Sequence, residues 1–315
     1  MTDTAITDKQ ITRLLKDAEG SLKEIVNDDF LRNNDYLRGK YTEQEILEVF
    51  RLCLVKPSGK SWSPVWQVLL LLFQSAFSES YTSVPERFIR VGNYLFHRIS
   101  DGAQPVIYSF GIGNDITFDK GAADIFGVPI YMYDPTPGVA VFMEDHKEDR
   151  RLIFKGEGIY SHETTTRLYT SDIAGKLNSS LHPIHGQDRA FELVHCRTLS
   201  MFMADNGHDS IDILKMDVEG VADDVLNQML DETNIRPKQI VTEFEIRGVE
   251  NPITYLPKIM ALMQKLKKND YIIFNQLLTR KATIELIIVH RSLFDAFESA
   301  DTGLALAQTN PVAAS

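Results

Sequence analysis

The sequence predicts an α/β fold: a seven-stranded, mostly parallel sheet with its last strand antiparallel, preceded by an α-helical N-terminal region. Three observations carry that prediction. From Pro105 onward, short apolar runs alternate with helix-like segments, the pattern of a parallel sheet covered on both faces. Several of these runs end in a glycine or a carboxylate and lead into a helix, as crossover connections do. The last two runs, 271–275 and 283–290, are spaced to pair as an antiparallel hairpin across residues 276–282.

The first hundred residues read as helical. Ile11, Leu14, Leu15 and Ala18 share one helical face, and Ile46, Val49, Phe50 and Leu54 share another. Lys56-Pro-Ser-Gly-Lys-Ser61 breaks the pattern, and a longer helix resumes after Pro64 with Val65, Trp66, Leu69, Leu70, Leu72 and Phe73. Gly59-Lys60-Ser61 is not read as a phosphate loop, because Leu54 stands where that motif needs glycine and no strand leads in. Trp62 and Trp66 fit a core or cap interface. Residues 1–100 are expected to form a helical cap or extension, through which copies of the chain could associate; 101–295 form the sheet domain and 296–315 a tail.

Strands are expected at 106–112, 128–133, 152–154, 211–216, 239–243, 271–275 and 283–290. The first, within Val106-Ile-Tyr-Ser-Phe-Gly-Ile-Gly-Asn-Asp115, runs into Gly111 and Gly113, with a helix starting near Asp115. Missing side chains let backbone approach a bulky ligand, and a helix amino end presents free N–H groups. The second strand ends in Asp134, about 20 residues further on, where a carboxylate accepts hydrogen bonds from a ribose diol. Together these features are the pattern of a nucleoside-cofactor site. The strand in Ile211-Asp-Ile-Leu-Lys-Met-Asp-Val-Glu-Gly220 ends in a charged, glycine-terminated turn, followed by an amphipathic helix from about Ala222 to Leu230.

This pair of segments resembles the FkbM-type family of S-adenosylmethionine-dependent methyltransferases, in which a Lys-Ile-Asp-Val-Glu-Gly-like stretch closes the fourth strand. Here that stretch reads Lys215-Met-Asp217-Val-Glu219-Gly220. The resemblance covers about Val106 to Arg291 and implies a Rossmann-like class I domain, S-adenosyl-L-methionine as cofactor and a hydroxyl acceptor on a sugar or small metabolite. Two departures stand out: Ser109 sits where an acidic residue is common, and Asn114-Asp115 stand where a third glycine is often seen. Ser109, Asn114 and Asp115 are therefore candidates for the amino-acid end of the cofactor, beside Gly111, Gly113 and Asp134. The missing glycine also counts against a nicotinamide dehydrogenase, and no catalytic Tyr-x-x-x-Lys or Cys-His arrangement is read for one in the sheet segment. A binding or scaffold protein that keeps the cofactor fold without turnover is the non-enzymatic alternative.

Gly111, Asp134, Asp217 and Glu243 all fall at carboxy ends of strands, where open parallel sheets bind ligands. Asp217 and Glu219 are the candidate catalytic carboxylates, with Lys215 expected to pair with Glu243 or Glu245; a buried ion pair is the structural alternative. Asp217, Glu243 and Glu245 would hold Mg²⁺ only if all three point into the cleft. His162 is a second candidate base, following Gly158-Ile159-Tyr160, a segment expected to border the adenine through Ile159. Residues 164–190 read as a long loop over the acceptor; its His182, His185 and Asp188 make a poor metal site because Pro183 interrupts helical ligand spacing.

Composition bounds the rest. The 315 residues carry a formal charge of −11, which disfavours a phosphate-binding surface and hence nucleic acid. Lys265, Lys267 and Lys268 read as a solvated helix end. Cys53 and Cys196 form no metal-like or redox-like pair, which suits a reducing compartment. The N-terminus lacks the succession of a signal peptide, and the longest apolar run, Val68 to Phe73, is too short to cross a bilayer, so a cytoplasmic protein away from membranes is expected.

Overall fold

A computed structural model of the protein describes residues 78–80, 84–100, 102–170, 179–181, 191–245, 252–275 and 283–296. The helices expected before residue 78, with Trp62 and Trp66, lie outside the described residues, as does most of the tail.

In chain order the elements are β1 (Glu79–Ser80), β2 (Phe88–Val91), β3 (Tyr94–His97), β4 (Ile107–Phe110), α1 (Thr117–Phe126), β5 (Ile130–Tyr133), α2 (Pro137–Glu144), β6 (Leu152–Lys155), β7 (Gly158–Ile159), β8 (Thr164–Thr170), β9 (Ser179–Ser180), β10 (Phe191–Arg197), α3 (Leu199–Asn206), β11 (Ile213–Met216), α4 (Ala222–Glu232), β12 (Gln239–Glu245), α5 (Pro252–Lys268), β13 (Tyr271–Asn275) and β14 (Thr283–His290). The main sheet has eight strands in the order β1-β13-β14-β12-β11-β4-β5-β6. All neighbours pair in parallel except β14, which runs antiparallel to both β12 and β13. The eighth strand is the two-residue β1, which pairs with the edge of β13.

Successive strand residues point to opposite faces, and here both faces are buried, which is why the central strands read as predominantly apolar runs. Tyr108, Leu214, Ile240 and Ile288 pack with Phe202 of α3, Val225 of α4 and Leu262 of α5. On the other face Ile107, Ile213, Val241 and Val289 pack with Phe118 of α1 and Val139 of α2. Chain order reverses between β4 and β11, the switch point at which such sheets bind ligands.

Two segments correct the sequence reading. Residues 88–97 were expected to be helical but form an antiparallel β2–β3 hairpin around Gly92-Asn93, with Gly92 at φ +56°. Phe88, Val91, Leu95 and Phe96 of this hairpin belong to the second core, so the sheet domain begins before the expected boundary at residue 100. Gln239 fastens the hairpin to β12: His97 N–H donates to its Oε1 at 2.8 Å, and its Nε2–H donates to the His97 carbonyl at 2.9 Å. The second correction concerns 164–190, expected as one loop. Residues 164–170 and 179–180 are strands of a separate sheet ordered β7-β10-β8-β9, while His182, His185 and Asp188 lie outside the described residues. Among the described residues no helix is long and apolar enough to cross a membrane.

Candidate active site

The strand ends around the switch point are tied together by backbone. Gly111 N–H donates to the Tyr133 carbonyl at 3.0 Å, and Asp217 N–H donates to the Phe110 carbonyl at 3.0 Å. Gly111 has φ +76°, and a Cβ there would lie 1.7 Å from the Asp217 carbonyl oxygen. The approach of β11 to β4 therefore by itself requires this glycine. Gly113, at φ +55°, has nothing within 4 Å of its missing Cβ, so it is the position where the turn opens to the cleft.

Asp134 is 5% exposed and shapes that turn. Its Oδ2 accepts from Ile112 N–H at 2.8 Å and Gly113 N–H at 3.0 Å, and its Oδ1 accepts from Thr136 N–H at 2.8 Å. The ribose role expected for Asp134 thus competes with a structural one, although a carboxylate has about four acceptor sites and Oδ1 retains capacity. Asp115 Oδ1 accepts from Thr117 N–H at 3.0 Å where α1 begins, and its Oδ2 accepts from Asn93 of the hairpin turn at 3.3 Å.

An open cleft of about 820 Å³, solvent at its mouth included, sits over these ends. Gly111, Gly113, Asn114 and Asp115 form one wall, Tyr133, Asp134 and Thr136 a second, and Asp217 and Glu219 a third. The small sheet closes it with Ile159, Leu168, Ser179 and Leu181. Ser180 of that sheet donates its hydroxyl to the Glu219 carbonyl at 3.1 Å, and Glu219 holds φ +39°, a left-handed conformation that a non-glycine residue rarely adopts.

The remaining candidates fall elsewhere. Lys215, 2% exposed, donates to the Gly111 carbonyl and lies 5.1 Å from the Tyr94 ring, so it buttresses the turn from behind; of the two carboxylates expected to pair with it, the Glu245 side chain lies outside the described residues. Ser109 is fully buried beneath the turn beside Asp119, away from the cofactor contact expected of it. Burial pushes the Asp119 carboxyl pKa up, against the pull of Lys215 and of the Ser109 hydroxyl. His162 is exposed, stacked edge-on against Tyr160 at 5.0 Å, and does not line the cleft. Among the described residues no three metal-ligating side chains converge, and the Glu245 side chain lies outside them.

The sequence reading missed Tyr94, which donates its hydroxyl to Asp217 Oδ2 at 2.6 Å. The Gly92-Asn93 pair flanked by apolar residues was the available signal.

The profile of the methyltransferase FkbM domain matches residues 95–273, more than half of the 315-residue chain. The chain belongs to the FkbM methyltransferase family. The FkbM match takes in the glycine turn, Asp134 and the Asp217–Glu219 turn, and begins one residue after Tyr94. No curated protein matches the chain. Among solved structures it is similar to a methyltransferase FkbM from Methylobacillus flagellatus KT, at 12% identity and a TM-score of 0.40, over 76% of this chain and 58% of that one. It is also similar to a fibrillarin pre-rRNA processing protein of Methanococcus jannaschii, at 11% identity and a TM-score of 0.36, over 64% of this chain and 81% of that one. A precorrin-6y C5,15-methyltransferase from Geobacter metallireducens GS-15 is similar at 10% identity and a TM-score of 0.33, over 61% and 83% of the respective chains.

One group near the cleft titrates in an accessible range. Asp223, in the first turn of α4 and 5% exposed, has its pKa pushed up to about 6 by burial and by Asp224, against the pull of Lys258. The folded state therefore holds this proton to higher pH than the unfolded chain, whose carboxyl titrates near 3.8. Stability is expected to be highest, on this account, below the unfolded value and to fall as pH rises through the window between the two, by about 2–3 kcal/mol. Urea midpoints at pH 4.5 and 7 should show this slope in the native chain and a shallower one in Asp223→Asn.

Proposed function

We propose that this protein is an S-adenosylmethionine-dependent methyltransferase that methylates a hydroxyl of a sugar or small metabolite. The observation that carries the reading is the turn after β4, which lies at the switch point of an FkbM methyltransferase domain with Gly113 open to the cleft and Asp134 beneath it. The residues present fit the cofactor. Gly113 and Asn114 offer open backbone, Asp134 Oδ1 keeps acceptor capacity toward a ribose hydroxyl, and Ile159 gives an apolar surface for the adenine. When bound, the cofactor supplies an electrophilic methyl group on a sulfonium.

Methyl transfer is an in-line displacement, so the chain's work is alignment, exclusion of water and removal of the acceptor's proton. Asp217, at the end of β11 and on the cleft wall, is the carboxylate placed to hydrogen-bond the acceptor hydroxyl and take that proton. Glu219, two residues on, lines the same wall and contributes negative charge there. The apolar Leu168 and Leu181 of the small sheet suit an acceptor with a nonpolar face. We place the reaction in the cytoplasm.

Titration calorimetry of the purified chain tests the reading. Micromolar binding of S-adenosylmethionine and of its demethylated product, with no comparable binding of NAD, is expected. Tight NAD binding in their place would transfer the site to hydride chemistry and end the proposal.

A further inference from the structure

The hairpin lies at the margin of the FkbM match, and its Tyr94, just outside that match, reaches the carboxylate on which the proposed chemistry depends. The Tyr94 hydroxyl donates to Asp217 Oδ2 at 2.6 Å, and Asp217 itself lines the cleft. The ring is fixed on two sides, edge-on to Phe118 at 5.4 Å and under the Lys215 ammonium at 5.1 Å. Burial, and then the charge and hydrogen bond of Asp217, raise the phenol pKa far above its ordinary value, so the group is an O–H donor at every working pH. The hairpin is anchored as well: Gln239 clamps His97 at the far end of β3, and Asn93 bonds Asp115 at the glycine turn. One element thus touches both the cofactor turn and the Asp217 carboxylate.

We propose that Tyr94 is a positioning residue for methyl transfer: by engaging Oδ2 it fixes the direction of the Asp217 carboxylate, so that the negative charge faces the point where the methyl group is exchanged. The inference rests on the cofactor reading above and deepens it. A phenol in an ordinary core satisfies a partner that is buried with it. Here the partner stands on the wall of the cleft, and the phenol engages only one of its two oxygens. The freedom that Tyr94 removes is that of a carboxylate pivoting about its own side-chain torsion, which would otherwise spread its charge over several directions.

Two ligands that differ at the transfer point read this out without knowledge of the acceptor. S-adenosylhomocysteine carries a neutral thioether there, whereas sinefungin carries an ammonium group at the position of the methyl. A carboxylate held toward that point should make the native chain bind sinefungin about tenfold more tightly, the value of one well-placed charged contact of ~1.4 kcal/mol. Asp217→Asn, which keeps an acceptor for the phenol but removes the charge, should abolish the preference. Tyr94→Phe keeps the ring packing and should leave S-adenosylhomocysteine affinity within about twofold while cutting the sinefungin preference at least about threefold.

Each outcome decides. A preference that survives in Tyr94→Phe, or an equal loss of both ligands in that variant, would reduce Tyr94 to a packing residue and overturn the inference. Equal binding of the two ligands by the native chain would overturn it too, by showing that no carboxylate is held at the transfer point, while leaving the cofactor reading intact. Failure of the native chain to bind either would remove the cofactor reading and this inference with it. Thermal melts of each variant, read beside the titrations, separate loss of fold from loss of selectivity.

Discussion

Gly111→Ala is expected to destabilise the protein by more than about 4 kcal/mol, the largest effect of any single methyl group added near the cleft. The added carbon would lie 1.7 Å from the Asp217 carbonyl oxygen and 2.6 Å from its carbonyl carbon, and both are backbone atoms of a central strand end. Neither can rotate away as a side chain would. The residue would also hold φ +76°, which an alanine adopts only with strain. Gly113→Ala is the comparison that gives the experiment its meaning, because its Cβ meets nothing within 4 Å and carries only the left-handed backbone cost of about 1–2 kcal/mol. Urea denaturation of both variants should show one chain that scarcely folds and one that folds nearly as the native protein does. The second should bind S-adenosylhomocysteine more weakly, since its new methyl group projects toward the cleft. Comparable stability of the two variants would contradict the close approach of β4 and β11.

Asp134→Asn is expected to cost about 3 kcal/mol and to weaken cofactor binding by about tenfold or more. The native carboxylate accepts three backbone N–H bonds, two from the glycine turn and one from Thr136. An asparagine amide offers one oxygen and one NH₂ group, so in either orientation a donor faces a buried donor. The turn of Ile112 and Gly113 would lose its template, and with it the shape of the cofactor wall. Asp134→Glu, which keeps the charge at a longer reach, should fall between the two. Calorimetry and denaturation run on the same samples would show affinity and stability falling together; an affinity loss at unchanged stability would mean that the carboxylate serves the ligand alone and that the turn needs no latch.

The parts of this fold that were legible in the sequence are those whose burial is two-sided. Ile107 to Phe110 and Ile213 to Met216 are buried at every position, so a run that is apolar but for Ser109 and Lys215 marks each without need of periodicity. The β2–β3 hairpin was hidden by a coincidence of spacing. Phe88, Val91, Leu95 and Phe96 stand at the intervals of a helical stripe because the Gly92-Asn93 turn is inserted between two short strands. The β8–β10 ribbon was hidden for a different reason: Thr164–Thr170 offers the core only Leu168, while Phe191 and Leu193 of β10 are 44% and 69% exposed. Hydrophobicity there points away from the buried face.

The site was legible by position and less so by role. Gly111, Asp134, Asp217 and Glu243 were placed on one rim by the rule that ligands gather at carboxy ends of parallel strands, and the structure brings the first three, though not Glu243, to the lining of one cleft. Sequence spacing could not reveal that Gly111 answers to the Asp217 backbone, that Lys215 turns toward the Gly111 carbonyl, or that Asp134 is engaged by three N–H groups. Those are contacts between segments far apart in the chain, and they exist only once the strand order is known.

The central claim is that the turn after β4 is a cofactor wall. Amide chemical shifts of the ¹⁵N-labelled chain, followed while S-adenosylhomocysteine is added, test it most directly. The account predicts saturable shifts concentrated at Gly111 to Asp115, Thr136, Ile159 and Asp217 to Glu219, with little change along α5. Saturable shifts centred elsewhere, or none at the glycine turn at millimolar ligand, would contradict it.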